Sequence, residues 1–320
     1  MQSGSHSGSP IRFMWQVFIG FGVALVYGLA GAGLLYAVSG RADAQEFLQM
    51  YIGPFNQLVL LGMAIGTALM IRGSQDLIPD TIETVFKPEE LPKEYKENRQ
   101  RYYSLRRTIV FASELIILGF MIFHFCHFPL SGLGEALMLL AGCLQWGLAS
   151  YVGRKIRYAG MMLHSLLDVK VTRNLFEKRE LDVINTYVQM VSILTIIGVY
   201  LGVRSYYGAP FAYDTFLGRS AQVFLIMPAV IATPVLLIFN FFPREVLRKI
   251  YDQSINIKLE ELHRQAKNEK LTDFEKQLRL MEFEKTYREQ LRYSLQLTLS
   301  DLPIGITIIV MVLEPLIRGA

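Results

Sequence analysis

Six long apolar runs divide the sequence, and they restrict the possible folds more than any other feature. A helix needs about 20 apolar residues to cross the hydrocarbon core of a bilayer. Runs of about this length occupy residues 11–38, 55–71, 108–128, 134–152, 184–203 and 221–242. Charged residues form 19% of the chain, whereas soluble domains usually contain about 25%. The sequence therefore predicts an all-α, polytopic membrane protein with six transmembrane helices spread over residues 11–242.

Lysine and arginine are distributed very unevenly between the two ends of these runs. One side of the predicted membrane carries 28 of the 32 basic residues: Arg12, loops 72–107 and 153–183, and segment 243–299. Basic residues collect on the cytoplasmic side of membrane proteins. This distribution predicts a protein of the cytoplasmic (inner) membrane with an even number of spans before Pro243. The N-terminus, with its flexible polar tail at residues 1–10, is expected to be cytoplasmic.

Segment 243–299 is charged and helix-prone, whereas residues 302–316 are apolar again. The helical pattern is interrupted at residues 268–271, and Thr272 with Glu275 matches a capping box that starts a second helix. Because the two helices have similar lengths, we expect a cytoplasmic helical hairpin, a coiled coil, that returns to the bilayer. Residues 300–320 would then form a seventh, C-terminal membrane segment. This segment is either re-entrant or spanning, and an interfacial helix is the remaining alternative.

Polar residues at membrane depth are candidates for an ion pathway because their burial in lipid is costly. Asp301 and Glu314 flank the apolar C-terminal segment. In a homo-oligomer they would form two acidic rings around a hydrophobic constriction, which suits a cation pathway. The alternative is a helix cap at Asp301 and a headgroup contact at Glu314. Glu114, Gln145 and Gln189 are further candidates for a polar path, although they could equally form interhelical hydrogen bonds.

Three prolines mark positions where membrane helices are expected to bend or begin. Pro228 and Pro234 lie in the sixth run, where each removes a backbone donor and favours a kink, as in a gate. Pro303 follows Asp301 closely, which is typical of a helix start.

Small residues are spaced for close helix packing in the first two runs. They fall at intervals of four residues on one helical face: Gly20, Ala24 and Gly28 in the first run, and Gly62 and Gly66 in the second. Such faces allow the backbones of two helices to approach closely in a bilayer. The contact is expected either within the chain or between copies in an oligomer.

Two clusters at the ends of runs combine basic and aromatic residues. The basic members are Arg101, Arg106 and Arg107 in one cluster, and Arg154, Lys155 and Arg157 in the other. The common use of such clusters is to hold anionic lipid headgroups, with tyrosines at headgroup depth. The alternative is a cytoplasmic site for an anionic nucleotide or oligonucleotide, since arginine forks and aromatic rings suit phosphates and bases.

The sequence contains no nucleophile–base pair, phosphate-binding glycine loop or metal-ligand cluster, so we expect neither an enzyme nor a cofactor. His124 and His127 share a helical face but have no second histidine pair to join. Three functions remain. The first is a homo-oligomeric ion channel or pore gated from the cytoplasmic side, with use as a membrane-depolarising defence effector. The second is a non-conducting adaptor whose cytoplasmic arm binds a partner protein. The third is a secondary transporter, which usually shows paired broken helices.

Overall fold

A computed structural model describes residues 10–53, 57–104, 132–171, 245–265 and 273–295, with isolated positions in 106–117 and 184–197. These residues form helices, turns and short connections, with no strand among them. The helices are α1 (Pro10–Val38), α2 (Arg41–Ile52), α3 (Gln57–Gly73), α4 (Leu77–Val85), α5 (Lys93–Tyr103), α6 (Leu133–His164), α7 (residues 245–265) and α8 (Asp273–Leu295). The all-helical prediction is confirmed for this part of the chain.

Three segments in the described ranges are long and apolar enough to cross a membrane: Trp15–Val38, Gln57–Val85 and Leu133–His164. They correspond to the first, second and fourth predicted spans. The sixth span, the hairpin turn at 268–271 and the C-terminal segment lie outside the described residues. Helix α6 continues well past its predicted end at Val152, because Ile156, Ala159 and Met162 extend its buried apolar face.

One face of α1 consists of large apolar side chains that no described residue covers. Trp15 and Val26 are both 65% exposed, and Phe18 and Leu29 on the same face are also exposed. Contiguous apolar surface of this extent is unfavourable in water and marks contact with another apolar phase. A helix of this length and apolarity is a candidate to cross a membrane, where that phase would be lipid.

The opposite face of α1 packs against α3 through glycine. A β-carbon on Gly20 would overlap the carbonyl oxygen of Gly62 and the backbone nitrogen of Gly66. A β-carbon on Gly66 would lie 2.7 Å from the Cα atom of Val17. The backbones of α1 and α3 therefore touch directly, which allows many favourable dispersion contacts in lipid. Three of the predicted packing glycines meet within one chain.

Helix α2 connects α1 and α3 and was not predicted from the sequence. Its buried residues Ala44, Phe47 and Tyr51 recur at helical spacing, and the Tyr51 hydroxyl donates to the carbonyl oxygen of Ala24 at 2.8 Å. The Phe47 and Tyr51 rings stack at 5.6 Å between centroids. The Tyr51 ring also fills the space above Gly28. Helix α2 thus closes one end of the α1–α3 pair.

At the other end of the bundle, α4, α5 and the last turns of α6 share a second core with α7. Its buried members include Ile82, Tyr95, Met162 and, from α7, Ile250. The backbone N–H of Val171 donates to the Gln253 side chain at 2.8 Å, which ties α7 to the chain that follows α6. We call this end of the bundle the basic end, because α5 and the last turns of α6 carry its arginines and lysines.

Candidate functional site

Lys155 lies buried at the basic end of α6, where only 7% of its surface is exposed. Its ammonium group donates to the backbone carbonyl of Tyr102 at 2.8 Å. The same group lies 3.9 Å from the centroid of the Tyr102 ring, 5.3 Å from that of Tyr103 and 5.8 Å from that of Tyr151. Aromatic faces attract cations through their quadrupoles, so the three rings replace part of the lost hydration.

Arg154 has a parallel role one residue earlier. One of its guanidinium nitrogens, Nη2, donates to the backbone carbonyl of Arg101 at 2.9 Å, and the group lies 5.5 Å from the Tyr158 ring centroid. Both acceptor carbonyls belong to the last turn of α5. The last four carbonyls of a helix have no intrahelical partner, and this end carries partial negative charge. Arg154 and Lys155 therefore cap α5 from the side of α6.

Acidic side chains complete this junction between α4, α5 and α6. The Tyr103 hydroxyl donates to Asp76 at 2.6 Å. Arg99 pairs with Glu83 through Nε at 2.6 Å, and its Nη2 donates to the second carboxylate oxygen at 3.2 Å. Burial, and then the hydrogen bond to Asp76, raises the pKa of Tyr103. Its hydroxyl consequently remains a protonated donor at neutral pH.

A shallow cleft of about 330 Å³ opens beside the Arg99–Glu83 pair. It is lined by Glu83, Pro88, Leu91, Tyr95, Lys96, Arg99 and Gln100. Burial raises the pKa of Tyr95, and the nearby Glu83 charge raises it further. Arg99 already has a carboxylate partner, whereas the second cation of the lining, Lys96, is exposed.

The basic residues predicted to bind lipid headgroups or an anionic ligand fall into a buried group and an exposed group. Arg154 and Lys155 are buried and bound to α5, as described above. Arg101 is partly exposed and lies 3.8 Å from the Glu97 carboxylate. Arg106 and Arg157 are exposed. Arg107 lies outside the described residues. Only the exposed members of the two clusters are therefore open to a headgroup or nucleotide.

Among the predicted pathway residues, Gln145 lies half-buried in α6, within the apolar stretch. Its Oε1 atom is buried and has no hydrogen-bond partner in the described ranges of the chain. Two neighbours that the sequence analysis missed share this property: Trp146 through Nε1 and Ser150 through Oγ. The remaining pathway and kink candidates lie outside the described residues: Glu114, Gln189, Asp301, Glu314, Pro228, Pro234 and Pro303.

A buried polar group without a partner costs about 1–3 kcal/mol. Three such atoms lie within two turns of α6, and both amide atoms of buried Gln57 in α3 share the property among the described residues. In the sequence, the three residues of α6 are recognisable as a Gln, a Trp and a Ser that fall in one six-residue stretch inside an apolar run. Elsewhere, the described residues hold no group of three potential metal ligands.

An exposed apolar face, a glycine-packed helix pair and three helices long enough to cross a bilayer indicate a membrane protein, and the part of the chain that the structure describes is all-helical. No known protein family matches the sequence, and the comparisons found no similar protein among characterised proteins or solved structures. The geometry of the described residues and the distribution of charge in the sequence are therefore the basis for a proposed function.

Proposed function

We propose that the chain is an ion channel or pore that assembles as a homo-oligomer and is gated from the cytoplasmic side. The observation that carries this proposal is the group of unpartnered polar atoms of Gln145, Trp146 and Ser150 inside a membrane-spanning helix. In a membrane, polar groups of this kind are retained where they meet water or ions. A hydrated path beside α6 satisfies them.

The contact between α7 and the basic end supplies the means of gating. Val246, Leu247 and Ile250 of α7 are at most 2% exposed and belong to the same core as the last turns of α3 and α6. A movement of α7 therefore has to move or repack the ends of two candidate spans. Packed cores of this kind switch between discrete arrangements, because interiors are too dense to deform continuously.

The proposed orientation places the basic end and α7 in the cytoplasm of a cell with an inner membrane. It rests on the uneven distribution of lysine and arginine and on the positive-inside rule. Exposed Arg106 and Arg157 are then available for anionic headgroups. Asp301 and Glu314 remain the proposed acidic rings of the oligomer.

Ion flux through the purified full-length chain in liposomes tests this proposal. The wild type is expected to be closed at rest, whereas Ile250→Ala is expected to raise basal flux at least tenfold. Truncation of a buried isoleucine costs about 2–5 kcal/mol, and a shift of 1.4 kcal/mol in the closed–open equilibrium changes it about tenfold. A flux assay with a trapped potassium or chloride indicator measures the difference.

The matched control is Arg248→Ala, because the Arg248 side chain is 73% exposed on the same helix. It should leave basal flux at the wild-type level. Asp301→Asn with Glu314→Gln should lower cation flux in the Ile250→Ala background. Monodisperse elution in detergent excludes a leak from unfolded protein. If no variant passes ions while all of them are folded, the channel proposal is wrong.

A second candidate, the partner-binding adaptor, is favoured by one face of α8. Phe274, Leu278 and Met281 are spaced for one helical stripe, and they are 72%, 44% and 59% exposed. On the other side of the helix, Phe283 packs against the core of the basic end. Apolar stripes on exposed helices are common protein-binding surfaces.

This adaptor hypothesis predicts that one protein co-purifies with the tagged full-length chain in detergent. Serine at Phe274, Leu278 and Met281 together should abolish its recovery, because the apolar contact area is lost. Gln277→Ser, an exposed change in the same turn, should retain it. Quantitative mass spectrometry of the eluates measures the ratio. Equal recovery with both variants would contradict a docking role for this stripe.

A further inference from the structure

Three hydrogen-bond donors follow one another along a single face of α6. Trp146, Ser150 and Arg154 are spaced four residues apart, so their side chains lie on neighbouring positions of the helix surface. The indole N–H of Trp146 can only donate, as can the guanidinium of Arg154. The polar atoms of Trp146 and Ser150 are buried and have no hydrogen-bond partner among the residues that the structure describes. Arg154 adds a positive charge one turn further along the helix.

Negative charge is scarce along this helix. The only acidic residue of α6 is Glu135, which lies 11 positions before Trp146, or about 16 Å along the axis. Toward the other end of α6, Arg154 and Lys155 are buried side by side. Burial weakens the screening of these charges by solvent and salt. The polar stretch therefore combines the donors of Trp146 and Ser150 with the positive charge of Arg154 and Lys155, which Asp76 offsets in part at Lys155.

We propose that the face formed by Trp146, Ser150 and Arg154 binds a small inorganic anion of about the size of chloride. Trp146 and Ser150 start about 6 Å apart along the helix, so both donors can reach about 3 Å from one ion between them. An anion accepts from both donors without having to donate in return, unlike water. Ser150 is 2% exposed, so an ion bound beside it would be shielded from bulk solvent.

Tryptophan fluorescence can report the ion at the site itself. The chain has two tryptophans, Trp15 and Trp146, so Trp15→Phe leaves the proposed ligand as the sole fluorophore. The purified full-length variant is titrated with iodide, a quencher of indole emission, against gluconate at constant ionic strength. We expect saturable quenching that excess chloride displaces. Quenching that is linear in iodide and insensitive to chloride overturns the proposal.

Ser150→Ala in the same background should weaken the apparent iodide affinity about tenfold, as expected for one hydrogen bond to an ion. The control is Ser165→Ala, which removes another buried hydroxyl at the end of α6, one that is bonded to the Met162 carbonyl at 2.7 Å. It should leave the affinity unchanged. Equal loss in both variants contradicts a local role for Ser150.

Two further measurements test the anion site in other ways. Where the Trp15→Phe protein does not fold, chloride-35 NMR line broadening by the wild-type chain and its Ser150→Ala variant replaces fluorescence, with the same expected loss. Liposome flux is measured separately, because the anion site does not depend on conduction. Saturable binding without any flux supports this site and contradicts the proposed channel. Flux without saturable binding contradicts the site alone.

Discussion

Replacement of Gly20 by alanine is expected to destabilise the protein by about 1–3 kcal/mol, the usual cost of an added methyl group in a fully packed contact. The methyl group would overlap the backbone of Gly62 and Gly66, with the Cα atom of Gly66 2.7 Å from the new carbon. Backbone atoms cannot rotate away as a side chain can. Helices α1 and α3 therefore have to separate and lose dispersion contacts along both faces.

Gly22→Ala is the matched control for this substitution. It adds the same methyl group two residues along α1, where nothing lies within 4 Å. Alanine also has the higher helix propensity, so the protein should be as stable as the wild type or slightly more stable. Thermal unfolding in detergent, followed by circular dichroism, compares the three proteins. Equal melting temperatures for the two variants would show that α1 and α3 do not pack through these glycines.

Replacement of Lys155 by methionine is expected to cost about 1–3 kcal/mol, because desolvation of the buried cation offsets part of the contacts that it makes. The change removes a charged hydrogen bond to the Tyr102 carbonyl, a contribution of about 1.5–3 kcal/mol. It also removes the cation from between three tyrosine rings, where such a contact contributes about 0.5–2 kcal/mol. Methionine keeps most of the aliphatic volume, so cavity formation adds little. The end of α5 should loosen before the rest of the bundle.

Arg157→Met provides the comparison, because Arg157 is an exposed cation two residues further along α6. Substitutions at exposed positions usually change stability by less than about 0.5 kcal/mol. Thermal unfolding measures both variants, and limited proteolysis near Tyr103 reports the loosening of α5. If the Lys155→Met protein keeps wild-type stability and protease resistance, Lys155 does not stabilise the end of α5. Its ammonium group would then be available to bind a ligand in the wild-type protein.

The membrane helices were predictable because length and continuous apolarity are local properties of the chain. The runs at 11–38, 55–71 and 134–152 correspond to α1, α3 and the first part of α6. The glycine spacing also predicted which face of α1 packs closely, since the positions of a face follow from helical periodicity alone. Helix α2 was missed, although Ala44, Phe47 and Tyr51 carry a helical pattern, because it lies in a short connection between two stronger signals.

The candidate site was only partly predictable. Gln145 was named from its polarity within an apolar run, and the same reasoning applies to Trp146 and Ser150. Arg154 and Lys155 were expected to reach lipid headgroups or an anionic ligand. The structure buries both of them against the end of α5, so neither is exposed to headgroups. Burial of a cation depends on which segment packs beside it, and no local pattern reports that neighbour.

Local patterns in the sequence are enough to establish that this chain is helical and that its apolar helices are long enough to cross a membrane. Both properties depend on residues close together in the chain. The contact of α1 with α3 through Gly20, Gly62 and Gly66, and the capping of α5 by Lys155, are visible only in the folded structure. The same is true of Trp146 and Ser150, which have no partner among the described residues. These are relations between distant segments, and they follow from packing that brings such segments together at atomic distances.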